Sequence, residues 1–217
     1  LCDITMDYLK NNRDASRPFC TVVSVEPPHD PFIAPEALQT TWEAREDISL
    51  PDNFSASDKD QREKFELDRK RYYAMVENLD MNVGRMEAFL EKEGLRDNTI
   101  VIFLSDHGEL NGSHGLRGKQ WPYEESIGVP LIVKDPRVPE RNGVAITDPV
   151  ATEDLFPTIL GLAGLEPRDS LPGTDLTSLI HGEIDHLERN GVLLEFVAEL
   201  RQGLPFYDRV WRGFRTE

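Results

Sequence analysis

The apolar run Thr99 to Leu104 (TIVIFL) breaks off at Ser105-Asp106-His107-Gly108, and no other junction constrains the chain as much. A β-branched and aromatic run of this kind marks a strand buried on both faces, as in a sheet covered by helices. A long polar loop follows, with glycines at 108, 112, 115 and 118. A carboxylate and an imidazole therefore leave the carboxyl end of a central strand, where open α/β sheets place their ligand sites. Lys119 stands twelve residues past His107, able to fold back over whatever the Asp–His pair holds. On its own, Asp-His-Gly could serve only as a turn, with Asp capping amides and Gly taking positive φ. The strand in front and the glycine-spaced cation behind favour a metal site with an anion clamp. His107 and His114 are seven residues apart on a flexible loop, which is no zinc-ligand spacing.

Pattern elsewhere predicts the supporting elements. Phe19–Val25 reads as a buried strand that Pro27-Pro28 ends, since proline cannot continue a ladder. Residues 61–93 read as a long helix, with Phe65, Tyr72, Val76, Leu79, Val83, Met86 and Leu90 on one face and Gly94 as its stop. Tyr72, Tyr73, Met75, Met81 and Met86 form a stripe that suits core packing rather than a cofactor. Val129–Val133 is a further strand, Thr152 N-caps a helix that runs to Gly164 with Pro157 near its first turn, and Val192–Phe196 is another strand. Residues 34–60 show no period and read as a loop excursion on the substrate side. Strand, long helix, strand, loop, strand, helix is the α/β pattern of a mainly parallel sheet flanked by helices.

A net charge of −16 over 217 residues argues against nucleic acid, whose phosphates demand clustered Lys and Arg. An anionic substrate would need local positive charge, because surface fields are screened within roughly 8–10 Å at physiological salt. No apolar run approaches the ~20 residues of a transmembrane segment. Cys2, expected in a helix, and Cys20, expected in a strand, make no disulfide framework, and the compartment stays open.

The blocks SDHG (105–108), GSHGLRGK (112–119), PYEES (122–126) and VPLIV (129–133) resemble the second metal-binding block of the sulfatases, in the alkaline-phosphatase-like superfamily. PHDPF at 28–32, DLFPTILGLAG at 154–164 and LPGTDLTSLIHG at 171–182 resemble other blocks of that family, in the same order. The resemblance implies a sulfuric ester hydrolase with an alkaline-phosphatase-like α/β fold, incomplete at both ends. The family's C-x-P-x-R segment, source of the formylglycine nucleophile, has no counterpart: Cys2 precedes Asp-Ile-Thr-Met and Cys20 precedes Thr-Val-Val-Ser. The nucleophile is therefore expected upstream, and the 217 residues alone are expected to be inactive. Residues 1–165 would belong to the main sheet domain and 166–217 to the start of the C-terminal region, with Val210–Thr216 opening the closing strands.

The same resemblance implies the site roles. Asp106 and His107 would hold a divalent metal. Ca²⁺ is favoured by the resemblance, with Mn²⁺ and Mg²⁺ as alternatives. Many sulfatases carry Asn where His107 stands, and because an oxygen suits Ca²⁺ better than imidazole does, this departure weakens the calcium assignment rather than the site. Lys119 would lie against the sulfate oxygens. His29 would contact the sulfate and protonate the leaving group, as an imidazole can near neutrality, or would simply be satisfied within its proline turn. His114 has equal claims as a substrate-binding and a structural residue; Asp30 reads as a turn residue and Glu195 as a weak substrate contact. The partner would be a small-molecule or saccharide sulfate ester. Two other readings stay open: a phosphonate monoester or phosphodiester hydrolase of the same superfamily, and a non-catalytic binding module.

Overall fold

The computed structural model describes residues 1–55, 59–166, 170–197 and 210–216. They form two compact units: residues 1–99 with 109–118, and residues 100–108 with 119–217.

The first unit is built on helices. Helix α1 (Cys2–Asp7) runs into a wider π turn over Tyr8–Asn12, α2 spans Glu36–Glu43 and α3 spans Lys59–Lys92. At about 1.5 Å per residue the 34 residues of α3 reach roughly 50 Å. Its buried residues are Phe65, Ala74, Met75 and Leu90. Ala74, fully buried, lets α2 come close, and Phe32, Ala34, Leu38 and Trp42 pack around Ala74 and Met75. This contact turns the buried stripe away from the expected one, leaving Val76 39% and Met81 54% exposed. Polar bonds reinforce it: Arg71 Nε donates to Glu43 Oε1 at 2.6 Å, and Lys70 Nζ donates to the Glu43 carbonyl at 3.1 Å. Tyr72 meets Phe32 edge to face, and burial pushes its phenol up. Helix α2 lies within the stretch expected to be irregular, and its eight residues are too few to announce a period.

Phe19–Val25 has no regular secondary structure and joins no ladder among the described residues, and Val22 is 85% exposed. The expected buried strand is thus corrected to a segment without regular structure, with Cys20 exposed within it. A β-branched run favours extended backbone; it cannot supply the neighbouring strand that makes a ladder.

In the second unit β1 (Val101–Leu104) pairs with β2 (Leu131–Lys134), and β3 (Val192–Phe196) pairs with β4 (Trp211–Arg215). Both ladders are antiparallel, with Val101 opposite Lys134 and Val192 opposite Arg215. Parallel pairing was the expectation; among the described residues it is corrected in both ladders. The two-residue alternation is the same in either direction, so the sequence of a strand does not fix the sense of its neighbour. Helix α4 (Glu124–Ile127) precedes β2, a 3₁₀ turn at Thr152–Asp154 leads into α5 (Leu155–Leu162), and α6 spans Thr177–His181. Pro157 falls in the first turn of α5, where its missing N–H costs no bond, and Gly164 takes φ +69° just past the end.

Two buried carboxylates hold this unit together. Asp154, fully buried, accepts the N–H of Ala151 and of Thr174 at 2.8 Å each and a two-pronged bond from Arg189 at 3.0 and 2.6 Å. Asp135 receives Arg137 Nη2 at 2.6 Å and lies 2.9 Å from His181 Nε2. The Arg137 guanidinium holds the Asp135 carboxyl far below the usual carboxylate range.

Candidate active site

Asp106 and His107 leave the carboxyl end of β1. The Asp106 side chain is 84% exposed; its Oδ1 accepts the His107 N–H at 2.9 Å, which restrains the carboxylate. His107 Nδ1 lies 2.9 Å from the Gly108 carbonyl. A carbonyl only accepts, so this contact calls for a proton on Nδ1, and in the neutral ring Nε2 then offers its lone pair. Nε2 and Asp106 Oδ2 stand 3.4 Å apart. Two acceptors so placed repel each other unless a proton or a cation lies between them. Ligand atoms about 2.0–2.5 Å from one ion, roughly at right angles, are separated by about 3 Å. The pair therefore fits as two donors of a cation site, with the histidine oriented through its other nitrogen in the usual way. No group of three His, Cys, Asp or Glu residues suited to a metal occurs among the described residues, so six-coordinate Ca²⁺ would need donors beyond this pair.

Gly108 shows why glycine follows the pair. Its N–H donates to the Ser126 carbonyl at 2.8 Å, and a Cβ there would fall inside the van der Waals sphere of the Glu125 carbonyl oxygen. We expect Gly108→Ala to push the 123–128 turn away at an overpacking cost of about 1–3 kcal/mol. Thermal unfolding should register this as a drop of several degrees; an unchanged Tm would mean that the turn yields freely.

Lys119 belongs to the same unit as Asp106 and His107 and is half-buried. It sits between Gly118 (φ +76°) and Gln120 (φ +78°), and the Gln120 N–H is held by Ser126 Oγ at 3.1 Å. Among the described residues, the non-glycine residues at positive φ are Asn111 and His114, within the loop, and Gln120, just past it. Such strain collects where surrounding structure fixes a functional geometry.

The loop itself, 109–118, belongs to the first unit. Leu110 donates its N–H to the Gly118 carbonyl at 2.9 Å, and the Gly118 N–H donates to Glu109 Oε1 at 2.6 Å, so the two ends of the loop are tied together. Arg117 pairs with Asp68 and lies over the Phe65 ring at 4.6 Å, fastening the loop to α3. His114 meets Asn53, with Nε2 3.3 Å from Nδ2. His29, also in the first unit, sits between the cis prolyl bonds Pro27–Pro28 and Asp30–Pro31. Its Nδ1 lies 2.7 Å from the Asp30 carbonyl and 3.1 Å from Asp30 Oδ1, so Asp30 orients the ring. The structure thus joins Asp106 to His107 directly, keeps Lys119 in their unit, and places His29 and His114 in the other. Glu109 and Asn53 are the loop partners that sequence reasoning missed; Asn53 is 61 residues from His114, and no local pattern could have linked them. Glu195, weighed as a substrate contact, is paired with Arg212 at 2.6 Å.

Comparison with known proteins bears on the family and the fold of this chain. The profile of the sulfatase family matches residues 1–165. An ulvan-active sulfatase of Formosa agariphila is 33% identical over 97% of this chain and 40% of its own length. A choline-sulfatase of Rhizobium meliloti is 30% identical over 88% of this chain and 40% of its own length. Among solved structures, the phosphonate monoester hydrolase of Agrobacterium radiobacter superposes with a TM-score of 0.78 at 25% identity, over 93% of this chain and 45% of that one. The α/β, alkaline-phosphatase-like class expected from the sequence is therefore the fold of this chain. The chain spans about 40% of the length of the curated relatives it matches. No helix among the described residues is long and apolar enough to cross a membrane. A family profile that covers residues 1–165, together with relatives at 30–33% identity, establishes that the chain belongs to the sulfatase family.

Proposed function

We propose that these residues form the metal and sulfate-binding side of a sulfuric ester hydrolase acting on a small-molecule or saccharide sulfate. The observation that carries this reading is the 3.4 Å juxtaposition of Asp106 Oδ2 and His107 Nε2 at the end of β1, in the same unit as Lys119. Asp106 and His107 would hold a divalent cation, most suitably Ca²⁺, which when bound neutralises charge on the non-bridging sulfate oxygens. Lys119 adds a fixed positive charge against the sulfate and stabilises the negative charge that grows as the S–O bond breaks. His29, with Nδ1 turned to Asp30, delivers a proton to the departing alcohol through its other nitrogen. His114, steadied by Asn53, is a substrate-binding candidate. The nucleophile is assigned to a formylglycine outside these 217 residues. The substrate range is supported by the names of the relatives, one ulvan-active and one a choline-sulfatase.

A second reading, phosphonate monoester hydrolysis, is favoured by the superposition on the Agrobacterium enzyme. Lys119 argues for sulfate, since phosphonate hydrolases of the superfamily often carry His there.

The test compares two proteins. The 217-residue chain alone should show no turnover of 4-nitrophenyl sulfate and should bind Ca²⁺ weakly, because two donors fall short of the usual six to eight. A longer protein that adds a C-x-P-x-R or S-x-P-x-R segment should hydrolyse the sulfate faster than a 4-nitrophenyl phosphonate. Robust turnover by the short chain, submicromolar Ca²⁺ affinity in its calorimetric titration, or a preference for the phosphonate would overturn the corresponding part of this reading.

A further inference from the structure

Beside the segment that follows Lys119, the second unit holds an open cavity of about 530 Å³, a size ordinary for ligand pockets. Pairing in the β3–β4 ladder sets Trp211, Gly213 and Arg215 opposite Phe196, Leu194 and Val192. Alternation puts these residues on one face, and Gly213 leaves a notch between an indole and a guanidinium. Neither backbone nor crowding requires that glycine. Its φ is not in the left-handed region, and a Cβ would meet only Leu194 Cβ and the Trp211 ring, at 3.9 Å each. A glycine inside a strand costs about 0.5–1 kcal/mol and often marks a place where a ligand comes close. Glu124 and Ile127 of α4 form the facing wall.

This wall is continuous with the site. Trp211 Nε1 donates to the carbonyl of Gln120, the neighbour of Lys119, at 2.8 Å. Ser126, in the same short helix as Glu124 and Ile127, accepts the N–H of Gly108, next to His107, at 2.8 Å. The ligand chemistry follows from the lining. The indole, stacked on Phe196 at a centroid distance of 6.2 Å with the ring planes 21° apart, suits the C–H face of a pyranose ring. Glu124 and Arg215, paired at 3.3 Å, offer an acceptor and several donors to ring hydroxyls. A simple aryl leaving group has no hydroxyls for this pair to bind. We propose that the notch over Gly213 is a subsite for a glycosyl unit of a saccharide sulfate, an inference that rests on the sulfatase reading above.

The test uses the full-length protein, a panel of sulfated mono-, di- and tetrasaccharides, and 4-nitrophenyl sulfate as the small reference. Gly213→Leu fills the notch; Gly213→Ala, whose added methyl fits without a clash, serves if the larger variant folds poorly. The ratio of kcat/KM for the best saccharide to that for the aryl sulfate should fall roughly tenfold or more in Gly213→Leu, chiefly through KM, and by a smaller factor in Gly213→Ala. An unchanged ratio, or a wild-type enzyme that turns over aryl sulfate and no saccharide, overturns the subsite and leaves the sulfatase reading standing. A wild-type protein active on neither class overturns that reading and the subsite with it.

Discussion

Lys119→Ala in the full-length enzyme should lower kcat/KM by roughly two to three powers of ten, about 3–4 kcal/mol, the scale for removing one preorganised charge-stabilising donor. The loss should be similar for an aryl and an alkyl sulfate, because Lys119 acts on the sulfate and both substrates carry it. His29→Ala should behave differently. A nitrophenolate leaves without a proton, whereas an alkoxide needs one badly, so the loss should be large for the alkyl sulfate and small for the aryl sulfate. Steady-state kinetics of both variants on both substrates separates the two roles. Equal losses for His29→Ala would demote it from general acid to sulfate-binding group, and a Lys119→Ala enzyme of near wild-type activity would remove the clamp altogether.

The second large effect concerns stability. Asp154→Ala leaves Arg189, only 18% exposed at its side chain, without its charge partner, and frees the N–H groups of Ala151 and Thr174. Breaking one side of a buried pair costs about 3–5 kcal/mol, so Tm should fall by roughly 10 °C. Acid should probe the same group. Burial alone would push the Asp154 carboxyl up, but the Arg189 guanidinium and the two backbone N–H groups outweigh it and hold the carboxyl below its ordinary value. A carboxyl depressed on folding contributes stability that is present above its unfolded value, about 3.9, and is lost as pH falls through the folded one. Wild-type stability should therefore decline from about pH 4 downward, while Asp154→Asn, having no such proton to gain, should start lower and fall less steeply. Chemical unfolding at a series of pH values reads this directly; parallel curves would mean that Asp154 is not an acid-sensitive post.

The loop from Gly108 to Lys119 was legible because its chemistry is local. Gly112, Gly115 and Gly118 all take positive φ, as their spacing in a polar loop suggests, and Gly108 is demanded by the carbonyl pressed against it. Helix α3 was legible within about two residues at each end because 34 residues give many turns of pattern. The sense of strand pairing was not legible, since alternation carries no direction. Nor were the pairs that fix the loops, Asn53 with His114, Asp68 with Arg117, and Asp154 with Arg189, because each joins residues 35 to 61 positions apart. A charged residue in sequence announces only that it needs a partner; which partner depends on the path of the whole chain.

That path has a consequence for how such a protein can be divided or inherited. The backbone passes from one compact unit to the other at 99–100, back at 108–109, and over again at 118–119. Neither unit is a continuous stretch of gene. One cut by a protease, or one recombination joint, cannot deliver either unit whole: a cut after Thr99 strips the helical unit of Leu110, among its most deeply buried side chains, and of the glycine packed against Leu50, Phe54 and Phe65. The stretch that bears the candidate chemistry thus contributes backbone to both parts, so neither can be exchanged by a single joint.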